Sequence, residues 1–213
     1  MHGTDPQCTD TGATSVTQTR RTRMSPEARR DQLIDLGLAM LADRPLEQVS
    51  IDAIAEAAGV SRALLFHYFE SKQDFHVAIA RAQAEQMLER TAPDATLGDP
   101  LVILAASMSE FIDYVVAHST AYTTLMRGAS SADPAMREVV DNTRQVMARR
   151  ILDHAPALGV EVTPLTEMTV HGWIAFVEET TISWLTEPRV SRDELLGLIS
   201  ASLPALAGAV APV

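Results

Sequence analysis

The chain has a single cysteine, Cys8, among 213 residues. One thiol can neither close an internal disulfide nor build a multi-cysteine zinc site. This usage fits the reducing cytoplasm, where the protein is expected to act. Lysine is equally scarce, with Lys72 the only one, and aromatic residues make up 5% of the chain. No apolar run reaches the roughly 20 residues of a membrane-spanning helix, so no membrane partner is expected. The polar start (His2, Asp5, Gln7, Thr9, Asp10) does not read as a secretory signal. Positive charge is also lacking: 17 basic residues against 28 acidic ones leave a net charge of −11, which by itself disfavours nucleic-acid binding.

Catalytic signatures are missing as well. The sequence contains no His-Glu-x-x-His zinc motif, no Gly-x-Ser-x-Gly elbow and no phosphate-cradling glycine loop. Di-iron sites in helical bundles need paired Glu-x-x-His motifs, but Glu167 and His171 stand four residues apart, not three. No enzymatic activity, metal site or cofactor is therefore expected.

What is present is an apolar fraction of 46%, enough to bury a core, and helical periodicity almost throughout. Residues 1–24 are rich in Thr, Ser, Gly and Asp and are expected to form a disordered tail. Its arginines, Arg20, Arg21 and Arg23, lead into Arg29 and Arg30. These five offer local positive charge, either as a solvated tail or as an arm along DNA phosphates. Most of the acidity lies elsewhere: residues 1–80 carry eight basic against eleven acidic side chains, and residues 81–213 carry nine against seventeen.

Ser25-Pro26-Glu27 predicts a helix start, with Leu33, Ile34, Leu36, Leu38, Met40 and Leu41 giving the apolar face of a helix that ends near Asp43, before Pro45. Ser50 caps a second helix, Ile51 to Ala58, that ends at Gly59. Ser61 caps a third, Arg62 to Tyr68, and Ser71 with Asp74 a fourth. Two short helices joined by a glycine turn have the spacing of a helix-turn-helix, whose second helix enters the major groove. Beyond Phe75 the pattern predicts helices to about Arg90, from Leu101 past Val115, from Ser119 to Arg127, from Pro134 past Ile151, from Pro164 to about Glu187, and from Ser191 onward. Pro204 is expected to kink or end the last of these. The fold class is therefore all-α, with about nine helices. A helix-turn-helix domain is assigned to residues 25–74 and a ligand-binding and dimerisation domain to residues 75–213.

The run Ile54-Ala55-Glu56-Ala57-Ala58-Gly59-Val60-Ser61-Arg62-Ala63-Leu64-Leu65-Phe66-His67-Tyr68-Phe69-Glu70-Ser71-Lys72 resembles the signature of the TetR family of transcriptional regulators. The resemblance is sharp over residues 29–75; beyond that it rests on helix count and order. It implies a three-helix DNA-binding domain, a helical ligand domain, and a homodimer formed by the last two long helices. The expected partners are thus double-stranded operator DNA, a small-molecule effector and a second copy of the chain. It also implies repression from a palindromic operator, relieved by ligand. The candidate DNA-binding residues are Ser50, Ser61, Arg62, Ala63, Leu64, Phe66, His67, Tyr68 and Lys72, together with Arg20, Arg21 and Arg23. Arg62 opens the recognition helix, and arginine commonly reads guanine O6 and N7. Tyr68 and Lys72 match family positions that touch phosphate. The chain departs from the family pattern at Leu64, where a hydroxyl is usual, and at Phe66, where Tyr is usual. Both changes remove a polar contact, although Leu64 can pack on a thymine methyl. Asp52 would repel phosphate if it faced DNA.

A ligand site in the bundle should be apolar with a few polar groups. The candidate liners are Met108, Phe111, Tyr114, Met126, Met147, Trp173, Val177, Thr180 and Trp184. The same stripe suits a plain core, so both readings stay open. Glu178 and Glu179 point to different sides of their helix, one of them toward a pocket or partner. The last two helices are unusually apolar, which nominates Ile174, Leu185, Leu195, Leu196, Leu198, Ile199 and Leu203 for a two-fold interface.

Overall fold

The structure is a computed structural model that describes residues 24–128 and 132–210. Arg20, Arg21 and Arg23 lie outside the described residues. Within them, all regular structure is helical, and nine α-helices follow in order: α1 (Pro26–Met40), α2 (Ile51–Ala58), α3 (Arg62–Tyr68), α4 (Lys72–Arg90), α5 (Pro100–Ala117), α6 (Ser119–Arg127), α7 (Pro134–His154), α8 (Pro164–Thr186) and α9 (Arg192–Val210).

The local causes of these elements are visible at their ends. Ser25, Ser50, Ser61 and Ser71 each accept a hydrogen bond from a backbone amide two or three residues into the helix that follows, satisfying donors that a helix start leaves unpaired. Asp99, Asp133 and Thr163 do the same for α5, α7 and α8, each followed by Pro at the first helical position. Gly59 ends α2 at φ 65°, a left-handed conformation that glycine adopts without steric cost. That turn sets α3 across α2.

The helices pack into two buried clusters. The first joins α1, α2, α3 and the first half of α4 through Leu33, Ile54, Leu65, Phe69, Phe75 and Ile79. Phe69 and Phe75 meet edge to face at 4.8 Å, a favoured aromatic geometry. Gly37 lets α1 approach α4 so closely that an added Cβ would fall 2.4 Å from the Ile79 side chain. The second cluster joins α5, α7, α8 and α9 around Ile112, Val115, Trp173, Leu195 and Ile199. The division at residue 74 is not a division of cores, because Val77 to Ala80 of α4 belong to the first cluster, as do Ala121 of α6 and Met136 and Val139 of α7. The α1–α3 unit is thus seated directly on α6 and α7.

Of the two outcomes expected at Pro204, a kink or an end, the end is ruled out: α9 continues through it to Val210. A proline inside a helix costs roughly 3 kcal/mol, yet Leu195, Ile199 and Leu203 hold α9 against the second cluster along this stretch. The 18-residue helix α5 is by length and composition apolar enough to cross a membrane, with a mean hydropathy of 1.5. Its Phe111, Ile112, Tyr114 and Val115 are buried in the bundle, while Glu110 and Asp113 on the same helix hold Arg90 and Arg192 in ion pairs.

Candidate nucleic-acid interface and effector cavity

The outward face of α3 is built by what its inward face must bury. Leu65 and Phe69 are fully buried, so Arg62, Ala63, Phe66 and His67 are left exposed and Leu64 is half-buried. Phe66 retains 42% of its surface in water. The Arg62 guanidinium stands 5.7 Å from the centre of the Phe66 ring. Its Nη1 also donates to both oxygens of Asp52 at 3.3 and 3.4 Å. Both side chains of this pair are well exposed, so it contributes at most about 1 kcal/mol, and a stronger acceptor can displace it. Asp52 thus sits on the same face as Arg62.

Ser50 and Ser61 are committed to helix capping through their oxygens, to the amides of Ala53 and Leu64 at 3.1 and 3.3 Å. Each hydroxyl keeps its proton for an external acceptor. Tyr68 is half-buried against the first core cluster, its ring edge-on to His67 at 5.3 Å. Lys72 donates from Nζ to the Glu47 carbonyl at 3.2 Å, a contact the sequence did not announce. Further cations are tethered nearby: Arg30 lies 5.0 Å over the Phe69 ring, and Arg44 forms a paired contact with Asp43 at 2.8 and 3.0 Å.

The bundle contains a cavity of about 130 Å³. Of the predicted liners, Met108, Phe111, Met147, Trp173 and Val177 surround it. Tyr114 and Met126 instead line a second space of about 40 Å³, which Met147 and Glu178 also border. The Tyr114 hydroxyl donates to the Gln83 carbonyl at 2.9 Å, and burial pushes its pKa up to about 12. Thr180 and Trp184 border neither space. The indole Nε1 of Trp184 donates to the Val190 carbonyl at 2.8 Å and so ties down the connection between α8 and α9. Helical spacing put Thr180 and Trp184 with Trp173, but the stripe drifts off the cavity near the end of α8.

The sequence reading missed the other wall. Thr91 and Pro93 after α4, Leu101 and Leu104 on α5, Arg150, Ile151 and His154 on α7, Leu158 beyond it, and Leu203, Pro204 and Ala207 on α9 all border the cavity. A helical projection of α7 would have found Arg150 and Ile151 one turn beyond Met147. No local signal marks the turn at Leu158 or the proline on α9. Glu178 borders the cavity too, but Arg144 grips it with three contacts of 2.7 to 3.1 Å.

The expected dimer residues divide. Ile174, Leu195 and Ile199 are 4%, 1% and 0% exposed within their own chain, so they serve its core and cannot meet a partner. Leu203 lines the cavity. Leu185 and Leu196 are half-buried against the second cluster. Leu198 alone of the seven is well exposed, at 51%. Sequence apolarity could not separate these roles, because α8 and α9 are apolar on two faces. The outward face of α8 carries Met168, Gly172, Ala175 and Phe176, and that of α9 carries Leu198, Ala201, Ala205 and Leu206.

A helix-turn-helix with its reading face free, seated on an α-helical bundle, is the architecture of a DNA-binding protein. Residues 33–79 match the family model described as bacterial regulatory proteins of the tetR family, and residues 100–203 match the tetracyclin repressor-like C-terminal domain. A crystal structure of a tetR-family transcriptional regulator from Streptomyces coelicolor superposes with a TM-score of 0.76 at 32% identity, over 88% of this chain and 85% of that one. The chain belongs to the TetR family and is a DNA-binding transcriptional regulator. An uncharacterized HTH-type transcriptional regulator of Mycobacterium tuberculosis strain H37Rv is 27% identical over 206 residues, 90% of this chain and 82% of its own. The fold is also that of the FadR regulator from Bacillus subtilis crystallised with stearoyl-CoA, at a TM-score of 0.59 and 18% identity over 85% of this chain and 99% of that one.

Proposed function

We propose that this regulator is a repressor that binds a near-palindromic operator as a homodimer and leaves it when a hydrophobic or amphipathic small molecule enters the bundle. The observation that carries the reading is the exposed face of α3, where Arg62, Ala63, Phe66 and His67 stand clear of the core. Arg62 reads a base edge, Leu64 and Phe66 offer apolar contact to thymine methyls, and Ser50, Ser61, Tyr68 and Lys72 face phosphate. Arg20, Arg21 and Arg23 extend the positive charge along the backbone. The net charge of −11 opposes the duplex as a whole, so binding depends on local positive charge and weakens steeply with salt.

The outward faces of α8 and α9 support the homodimer. Met168 is 66% exposed and Leu198 51%, and small residues between them let two copies of the helix pair approach closely. An interface of this kind is isologous and sets the two α3 helices about 34–36 Å apart or a multiple of that. Ligand release is supported by the shared cores: α6 and α7 contribute to the reading domain's cluster while α7 also walls the cavity. A ligand acts by its differential affinity for two arrangements of these helices. That a FadR of the same fold was crystallised with stearoyl-CoA supports an amphipathic effector in the bundle.

Footprinting of the purified protein on genomic fragments enriched by it tests this reading. The expected result is a protected site with two related half-sites, bound by one dimer. Protection without two-fold symmetry, from a protein that sediments as a monomer, would overturn it.

A further inference from the structure

We infer that the effector is a small carboxylate, with an apolar body about the size of one ring or a short chain, whose anionic group is held by Arg150. This rests on the reading of the bundle cavity as the effector site and names the chemistry that site selects.

Charge pairing singles out Arg150. Three arginines of the bundle are withdrawn from full exposure: Arg144, Arg150 and Arg192. Arg144 is paired with Glu178 and Arg192 with Asp113, both at 2.7 Å. Among the described residues Arg150 has no carboxylate partner, although the chain carries 28 acidic residues. Its one hydrogen bond runs from Nη1 to the Leu88 carbonyl at 2.7 Å. A guanidinium has five donors, and Arg150 belongs to the lining of a cavity whose surroundings are almost wholly apolar. Placing a permanent cation beside apolar walls is costly unless an anion joins it, and a carboxylate meets the guanidinium fork with two parallel hydrogen bonds.

The lining differs in exposure: Phe111, Trp173 and Val177 are buried, whereas Leu101 and Leu158 are exposed. His154, one turn beyond Arg150, uses Nδ1 to reach the Arg150 carbonyl at 2.8 Å. The site therefore takes the apolar body against Trp173 and the charged end at Arg150. Size limits the body: an apolar cavity of about 150 Å³ accommodates a benzene-sized molecule, and this one measures about 130 Å³. A long acyl chain exceeds that volume and would have to extend past the exposed Leu101 and Leu158.

The same guanidinium connects the ligand to the reading domain. Leu88 lies in the last turn of α4, where carbonyls lack helical partners, so Arg150 caps the helix that begins beside α3. A carboxylate that draws Arg150 toward itself competes with that cap.

The test is direct binding to the full-length protein, read by Trp173 fluorescence in a Trp184→Phe background and by thermal shift. The probes are 3-phenylpropionate, octanoate, their neutral counterparts 3-phenylpropanol and 1-octanol, and palmitate. We expect the two small acids to bind at least about tenfold tighter than the alcohols and palmitate to bind no better than either. Arg150→Gln should abolish the preference for acid, and Arg150→Lys should restore part of it. Alcohols binding as tightly as acids would overturn the carboxylate assignment while leaving the cavity as the effector site. Palmitate binding tightest would overturn the size limit. No response to any probe would overturn the inference together with the cavity reading beneath it, whatever DNA binding shows.

Discussion

Arg62 Nη1 lies 3.3 and 3.4 Å from the two carboxylate oxygens of Asp52, so the first residue of the reading helix is held by an acid ten positions earlier. Both groups are solvated, and the pair holds Arg62 loosely. If Arg62 reads a base, Arg62→Ala should cost about 1–3 kcal/mol of operator affinity and relax the preference at one position of each half-site. Asp52→Asn removes a competitor for Arg62 and a negative charge facing phosphate. Its operator affinity should rise several-fold, with thermal stability unchanged to within about 0.5 kcal/mol. Fluorescence anisotropy with an operator duplex measures both. Weaker binding by Asp52→Asn would mean that the pair positions Arg62 for DNA.

Lys72 is assigned to phosphate rather than to a base. Lys72→Ala should therefore weaken specific and nonspecific duplexes alike and reduce the salt slope of binding by about 1 per reading domain. The Glu47 carbonyl that Lys72 now contacts can return to water, so stability should change little. A loss confined to the specific duplex would reassign Lys72 to sequence reading.

How far these assignments were legible in the sequence depended on whether a residue acts within its own helix or across helices. The boundaries of α2 and α3 were readable because Ser50, Gly59 and Ser61 act on neighbours three or four positions away. The exposed face of α3 followed from Leu65 and Phe69 pointing inward. Roles on α8 and α9 were not readable. Leu195 and Leu198 are both leucines on one helix, and only the packing of α5 and α8 decides that one is buried and the other free. The same limit hid Arg150, whose proposed role rests on Leu88 lying 62 positions earlier and on its having no carboxylate partner among the described residues. At Pro204 the sequence left a kink or an end open, and the packing of α9 against the second cluster carries the helix through.

The outward face of α9 supplies a third prediction. Leu198→Asp places a charge on a surface assigned to the two-fold interface and should shift the protein from dimer to monomer in sedimentation. Helical content should be retained, because Leu198 is half-exposed in the single chain. Operator affinity should fall with the loss of the second reading domain. A dimer that survives this change would place the interface elsewhere.

His76 gives a prediction in pH. It is buried, with Nε2 donating to the Val49 carbonyl at 2.9 Å, and its pKa lies below the ordinary 6.5, chiefly because burial disfavours the charged ring, with Lys72 adding to the effect and Glu47 opposing it. The unfolded chain therefore takes up a proton at this position before the folded one does. The stability it contributes is complete above about pH 6.5 and is lost as pH falls from there toward the depressed folded value. His76→Gln keeps an amide donor for Val49 and cannot take up that proton. Urea unfolding between pH 7.5 and 5 should show a shallower decline for the variant than for the wild type. An equal decline would assign the acid sensitivity to other groups.

The measurement that bears most directly on the account is equilibrium binding of the full-length protein to a duplex selected from genomic DNA and to a scrambled duplex of equal length, each at about 50 and 200 mM salt. The account predicts that the selected duplex is bound by at least about a thousandfold more tightly than the scrambled one, that both affinities fall as salt rises, and that Arg62→Ala removes much of the difference. Equal affinity for the two duplexes, or no binding at either salt, would contradict the assignment of α3 as a sequence-reading helix.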